Sequence, residues 1–128
     1  MIHELKIINF RSFKDEVTFS FEASKDSGLE DNYVMSMKDG TRLLRFATIF
    51  GANASGKSNL LEAFEFLRHF WKHKPKDADE PTSVEPFFLD SESVHKPSKF
   101  QLKFYVGETR YTYKLIIDSF AVHEEQLN

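Results

Sequence analysis

Eight residues constrain this chain more than any others: Gly51-Ala52-Asn53-Ala54-Ser55-Gly56-Lys57-Ser58. They match the pattern G-x-x-x-x-G-K-[ST] at every fixed position. The flanks suit that pattern. Phe46-Ala-Thr-Ile-Phe50 is a short apolar run that reads as a buried strand, and Lys57 to His73 reads as a helix. Strand, glycine-rich loop and helix N-terminus together form an anion cradle. Inward-facing loop N–H groups add to the free N–H groups and the positive dipole end of the helix. In such a cradle Lys57 reaches β- and γ-phosphates, and the Ser58 hydroxyl ligates Mg²⁺. The bland alternative is a glycine turn that starts a helix and binds nothing. It requires the pattern and both flanks to coincide by chance.

The 128 residues allow one small domain with a real core. The 14 Phe supply bulky core filling, or a surface meant to be covered. A net charge of −3 argues against a strongly basic nucleic-acid module, although a local patch stays open. The absence of cysteine removes disulfides, Cys-zinc sites and thiol catalysis, and it suits a reducing cytoplasm. Glu4 and the lack of a continuous apolar run argue against a signal peptide. No segment approaches the ~20 apolar residues of a membrane span. A cytoplasmic location without a membrane partner is the expectation.

The predicted fold class is α+β: an antiparallel sheet, a phosphate-loop strand and one main helix. Residues 2–10 read as a first strand. Arg11 to Asp15 reads as a turn, and Val17-Thr-Phe-Ser-Phe21 alternates strictly as a second strand. Residues 22–40 are polar and read as a loop containing Gly28 and Gly40, with a short irregular or strand segment around Tyr33–Met37. Leu43 to Phe50 is the strand entering the phosphate loop. In the helix, Leu60, Leu61, Phe64, Leu67, Phe70 and Trp71 form one apolar stripe, and Pro75 stops it. Residues 74–99 form a polar loop or ordered linker within the domain. Phe100 to Val106 and Tyr111 to Ile117 alternate around Gly107-Glu108-Thr109, which predicts a hairpin.

A phosphate loop alone binds nucleotide without hydrolysing it, because hydrolysis needs a carboxylate behind the metal and a group that positions water. Two apolar runs end in Asp: Pro86-Phe-Phe-Leu-Asp90 and Leu115-Ile-Ile-Asp118. The first is short and flanked by loop chemistry, and the second belongs to the hairpin, so Asp118 reads as a solvated strand end. No catalytic residue is assigned. Arg11 grips phosphate oxygens if its turn lies near the loop, and is otherwise a solvated turn arginine. His69 and His73 stand at i, i+4 with no third ligand, and a helix C-terminus accounts for them without metal. Lys72, Lys74 and Lys76 read as a solvated face, with DNA contact the lesser option. The aromatic residues of the hairpin read as core rather than as a base-stacking platform.

The order of these motifs resembles a known group. Asn9-Phe-Arg-Ser-Phe13 ends the first strand, Thr18-Phe-Ser-Phe21 follows, and then comes Ile49-Phe-Gly-Ala-Asn-Ala-Ser-Gly-Lys-Ser-Asn-Leu-Leu-Glu-Ala63. This is similar to the N-terminal lobe of RecF/SMC/OLD-type AAA family ATPases of the ABC class, and to bacterial abortive-infection and phage-defence ATPases. The later Pro-Phe-Phe-Leu-Asp, Ser-Lys-Phe, Tyr-Thr-Tyr and His-Glu-Glu-Gln-Leu segments resemble the same group. The resemblance implies ATP and Mg²⁺ as cofactors. It implies that Gly51, Ala52, Asn53, Ala54, Ser55, Gly56, Lys57, Ser58 and Asn59 line the phosphates and metal, with Ser58 on Mg²⁺, while Arg11 and Ser12 approach from the first turn. Members also use a Q-loop glutamine, a signature motif, a Walker B Asp-Glu and a switch histidine. Gln101 and Gln126 lack Q-loop context, and the remaining motifs normally lie in a C-terminal half.

Residues 1–128 are therefore expected to form a single N-terminal ATP-binding lobe of an incomplete ABC-type domain. It binds ATP without turning it over, and it pairs with a C-terminal ATPase half, with a second ATPase subunit, or with itself as a homodimer. DNA is an implied partner of the complete protein, in DNA maintenance or phage defence. The alternative from a different class is a non-catalytic structural or regulatory module that retains the lobe fold. A nucleoside kinase or small GTPase lacks support, because the base-specificity motif is missing and strands precede the loop.

Overall fold

The computed structural model describes residues 1–25, 30–53, 55–77 and 80–128. Gly28 of the expected loop, Ala54 of the phosphate-loop motif, and residues 78–79 of the polar linker lie outside the described residues.

Strand β1 (Ile2–Ile8) buries His3, Leu5 and Ile7 on alternate positions, as a period of two requires. It pairs antiparallel with β2 (Val17–Ser20) in a register that sets Leu5 opposite Phe19 and Ile7 opposite Val17. A short helix α1 (Glu30–Tyr33) leads into β3 (Val34–Ser36), which pairs with β4 (Arg42–Leu44) as a separate two-stranded sheet. Helix α2 (Lys57–Lys72) follows. The long strands β5 (Ser98–Val106) and β6 (Thr109–Ile117) form the predicted hairpin, and β7 (Val122–Leu127) adds an edge. The main sheet is antiparallel between all these neighbours, in the order β2-β1-β5-β6-β7. Its β5–β6 connection is only Gly107-Glu108, with Gly107 at φ 59° supplying the left-handed backbone a tight turn needs.

One face of this sheet meets α2. Leu60, Ala63 and Leu67 of the helix share a core with Leu5, Ile7, Phe100, Leu102, Tyr113, Leu115 and Ile117. Phe66 stacks on Phe100 at 5.1 Å between centroids, and Phe10 meets Phe100 edge-on at 5.2 Å. The stripe differs from the expected one. Ala63 faces the sheet and lets the helix approach closely, whereas Leu61 is 64% exposed and Trp71 48% exposed. Leu61 sits at the margin of the expected arc, where a modest rotation of the helix decides burial, whereas Trp71 lies within the arc in the last turn of the helix and meets Tyr113 edge-on at 5.2 Å.

The strand expected over Leu43–Phe50 is shorter. Only Arg42–Leu44 is strand, and residues 46–50 run without regular pairing. Phe46 and Phe50 are 58% and 87% exposed. A strand is defined by its neighbours, and no strand among the described residues lies beside this run. Strand β7 was not foreseen. Val122-His-Glu-Glu-Gln-Leu127 lacks alternating apolar residues because it is an exposed edge held by backbone bonds, and charge protects such edges from further pairing.

Asn9 joins distant segments. It is 5% exposed and holds a left-handed backbone at φ 53°. Its Nδ2 donates to the carbonyls of Ser93 at 2.9 Å and Lys96 at 2.8 Å, while Oδ1 accepts from the Phe87 N–H at 3.1 Å. The Ser98 hydroxyl donates to the Asn9 carbonyl. The polar segment after α2 is thus ordered against the end of β1. Replacing Asn9 by Ala leaves several buried polar groups unpaired, and we expect a loss of roughly 2–4 kcal/mol in denaturant unfolding. Parent-like stability would remove Asn9 from this role.

A second core cluster, Met37, Leu43 and Tyr105, attaches the β3–β4 hairpin to the main sheet. The Tyr105 hydroxyl donates to Asp39 Oδ2 at 2.7 Å. That bond, followed by the Thr41 N–H, lowers the Asp39 pKa to about 2. A depressed folded-state pKa contributes stability above the unfolded value of about 4, and that stability is lost as pH falls towards 2. Tyr105→Phe is expected to flatten the acid dependence of unfolding in this window. An unchanged pH profile would contradict the assignment.

Candidate functional site

Gly56 sits immediately before α2 with φ 87° and ψ 3°, a conformation that side chains other than glycine rarely adopt. A Cβ there would lie 3.0 Å from Phe13 Cε1 and 3.3 Å from Ser12 Oγ. The first turn therefore packs directly on the exit of the glycine-rich loop. At Gly51 a Cβ would fall 2.9 Å from Ser55 Oγ, so this position also favours glycine unless Ser55 turns away.

The N-terminus of α2 has no side-chain cap and no acidic residue in its first turn. Its backbone donors and positive dipole end are thus not offset by a carboxylate within that turn. Lys57 folds back over the loop. Its Nζ donates to the carbonyls of Gly51, at 2.8 Å, and Ala52, and to Ser55 Oγ at 3.3 Å. All three acceptors are neutral oxygens, so among the described residues no carboxylate compensates this ammonium. Asn53 is exposed on the loop, and the exposed Ser58 lies in the first turn of the helix. Asn59 Nδ2 donates to Ser12 Oγ at 2.6 Å, a second tie between loop and first turn.

Arg11 follows Asn9 with its own left-handed backbone at φ 50°. Its guanidinium pairs with Glu62 of α2 and with Glu85 Oε1 at 3.2 Å, and its N–H donates to the Glu85 carbonyl at 2.9 Å. The structure thus gathers Gly51, Ala52, Ser55, Gly56, Lys57, Ser58 and Asn59 with Ser12 at one end of α2, and engages the Arg11 side chain with carboxylates. Ala54 stays outside the description.

Two further aspartates hold turns. Asp90 accepts from the Glu92 N–H at 2.8 Å, the Ser93 hydroxyl at 2.8 Å and Lys14 Nζ at 2.7 Å. The lysine, ahead of these other donors, holds its carboxyl well below the usual range. Asp118 binds His123 Nε2 at 2.6 Å and accepts from the N–H groups of Phe120 and Ala121, and its pKa is lowered, with the histidine the leading cause. His69 pairs with Glu65 and His73 with Glu80. Among the described residues no group of three or more His, Cys, Asp or Glu is placed to hold a metal ion.

The donor set fits a phosphate with its cation: an ammonium with no carboxylate partner among the described residues, a helix start without a side-chain cap, and an exposed hydroxyl one residue inside it. Glu62 and Glu85 were missed by sequence reasoning. Glu62 carried a usable signal, because it stands four residues after Ser58 on the same helix face.

Loop, helix and antiparallel sheet are compatible with part of a P-loop NTPase. Residues 46–128 match the family described as "AAA domain, putative AbiEii toxin, Type IV TA system". The match covers well over half of the chain, which belongs to this family of AAA-type ATPases. No curated protein matches the chain. No helix among the described residues is long and apolar enough to cross a membrane.

Gly56→Ala forces a Cβ into the left-handed region and against Phe13. We expect a loss of roughly 1–2 kcal/mol or more, read by thermal or denaturant unfolding. A Gly56→Ala variant as stable as the parent would show that this backbone conformation is not required.

Proposed function

We propose that the chain binds ATP with Mg²⁺ through Gly51–Asn59, as the N-terminal lobe of a RecF/SMC/OLD-like ATPase acting in DNA maintenance or phage defence. One observation carries the ATP reading: the Lys57 ammonium, met among the described residues by neutral loop oxygens alone, beside a helix start with no side-chain cap. Lys57 would hold the β- and γ-phosphates, Ser58 the metal, and the loop N–H groups and Asn59 the remaining phosphate oxygens. Bound Mg²⁺ supplies charge neutralisation across the terminal phosphates. The chain's own residues bind and orient the phosphates. Asp90 and Asp118 hold turns, so we assign no residue to water activation and expect binding without turnover. Contact of the Asn9–Phe13 turn with Gly56 supports the RecF/SMC/OLD branch, in which that turn approaches the nucleotide.

The exposed Phe46 and Phe50 support a partner for this lobe, such as a C-terminal ATPase half, a second ATPase subunit or another copy of the chain. The same exposure favours the second reading, a regulatory module acting by contact alone. Titration calorimetry of Mg²⁺-ATP separates the two. The parent should bind saturably, and Lys57→Ala should abolish binding with its circular dichroism and unfolding midpoint unchanged. Equal binding by parent and variant would end the phosphate-loop reading.

A further inference from the structure

Ser58 and Glu62 stand at i, i+4 on α2 and therefore on one helix face, about one turn apart. Glu62 is paired with Arg11, which also holds Glu85 Oε1 at 3.2 Å. Arg11 thus meets α2 one turn beyond the residue whose hydroxyl is assigned to the metal. One guanidinium faces two carboxylates, leaving an excess negative charge beside a loop built for an anion. The Arg11 Nε is buried without a hydrogen-bond partner among the described residues, so the carboxylates do not satisfy the whole fork.

We propose that Glu85 is a positioning residue that keeps Arg11 in reserve, so that the Arg11 guanidinium partitions between Glu85 and the phosphates of the bound nucleotide. The inference rests on the ATP reading above. Glu85 is the partner given up, because its side chain is 51% exposed against 42% for Glu62 and it leaves α2 undisturbed. Nucleotide and carboxylate are alternative acceptors for the same fork. Occupancy of the loop thereby reaches the segment around Glu85, which carries the exposed Phe88 and Leu89. That segment stays tethered by the Asn9–Phe87 bond and by the Arg11 N–H to the Glu85 carbonyl.

The test is Mg²⁺-ATP affinity by calorimetry in the parent, Glu85→Gln, Arg11→Gln and the double variant. Release of a half-exposed ion pair should tighten binding about three- to fivefold in Glu85→Gln. Arg11→Gln should weaken binding, and adding Glu85→Gln to it should change nothing further. Unchanged or weaker binding in Glu85→Gln overturns the proposal. Equal tightening in the Arg11→Gln background also overturns it, because mere removal of a negative charge would then suffice. Should Arg11→Gln fail to fold, the Arg11 Nε–H resonance of the parent serves. It should shift saturably with Mg²⁺-ATP, and a resonance that stays still overturns the proposal. Lys57-dependent binding with no Glu85 effect sinks this inference alone, whereas a parent that binds no nucleotide sinks the ATP reading with it.

Discussion

The carboxamide of Asn9 is the interaction on which the rest of the structure depends. A buried amide must find partners, and this one finds carbonyls at Ser93 and Lys96 and the N–H of Phe87. The bonds fasten the long polar segment after α2 to the end of β1. The left-handed turn of Asn9 and Arg11 then directs Ser12 and Phe13 onto Gly56. Core, linker and loop are thereby joined at one corner of the molecule. A network of this kind is valuable only when each member is satisfied, which explains why it requires asparagine rather than a merely polar residue.

Charge is arranged around that corner in two ways. The Lys57 ammonium is solvated by loop carbonyls, a weak substitute for an anion. Arg11 is held by two carboxylates, a stronger and competing environment. Two cations near one helix start thus differ in how firmly each is already held. The exposed apolar run from Phe46 to Phe50 leads directly into the loop, and its backbone has no strand neighbour among the described residues.

Sequence patterns were informative where the physics is local. The hairpin of β5 and β6 was legible because alternate residues from Phe100 to Ile117 face one core. The edge strand β7 was not, because its charged residues carry no such alternation and only pairing with β6 makes it a strand. Leu61 was placed in the apolar stripe by spacing alone, but Ala63 brings the helix to the sheet on a slightly different face. The role of Asn9 was hidden for another reason. Its partners lie 78 to 87 residues away, and no short window contains them.

What the sequence by itself determined is the chemistry of the loop. Gly51, Gly56, Lys57 and Ser58 act through backbone conformation and short reach, and their spacing already places an ammonium and a hydroxyl at a helix start. Tertiary structure alone decided where Arg11 points, what Asn9 holds, and that residues 46–50 find no strand partner among the described residues. Each of these depends on groups far away in the chain, and a hydrogen bond, an ion pair or a strand exists only when its partner arrives.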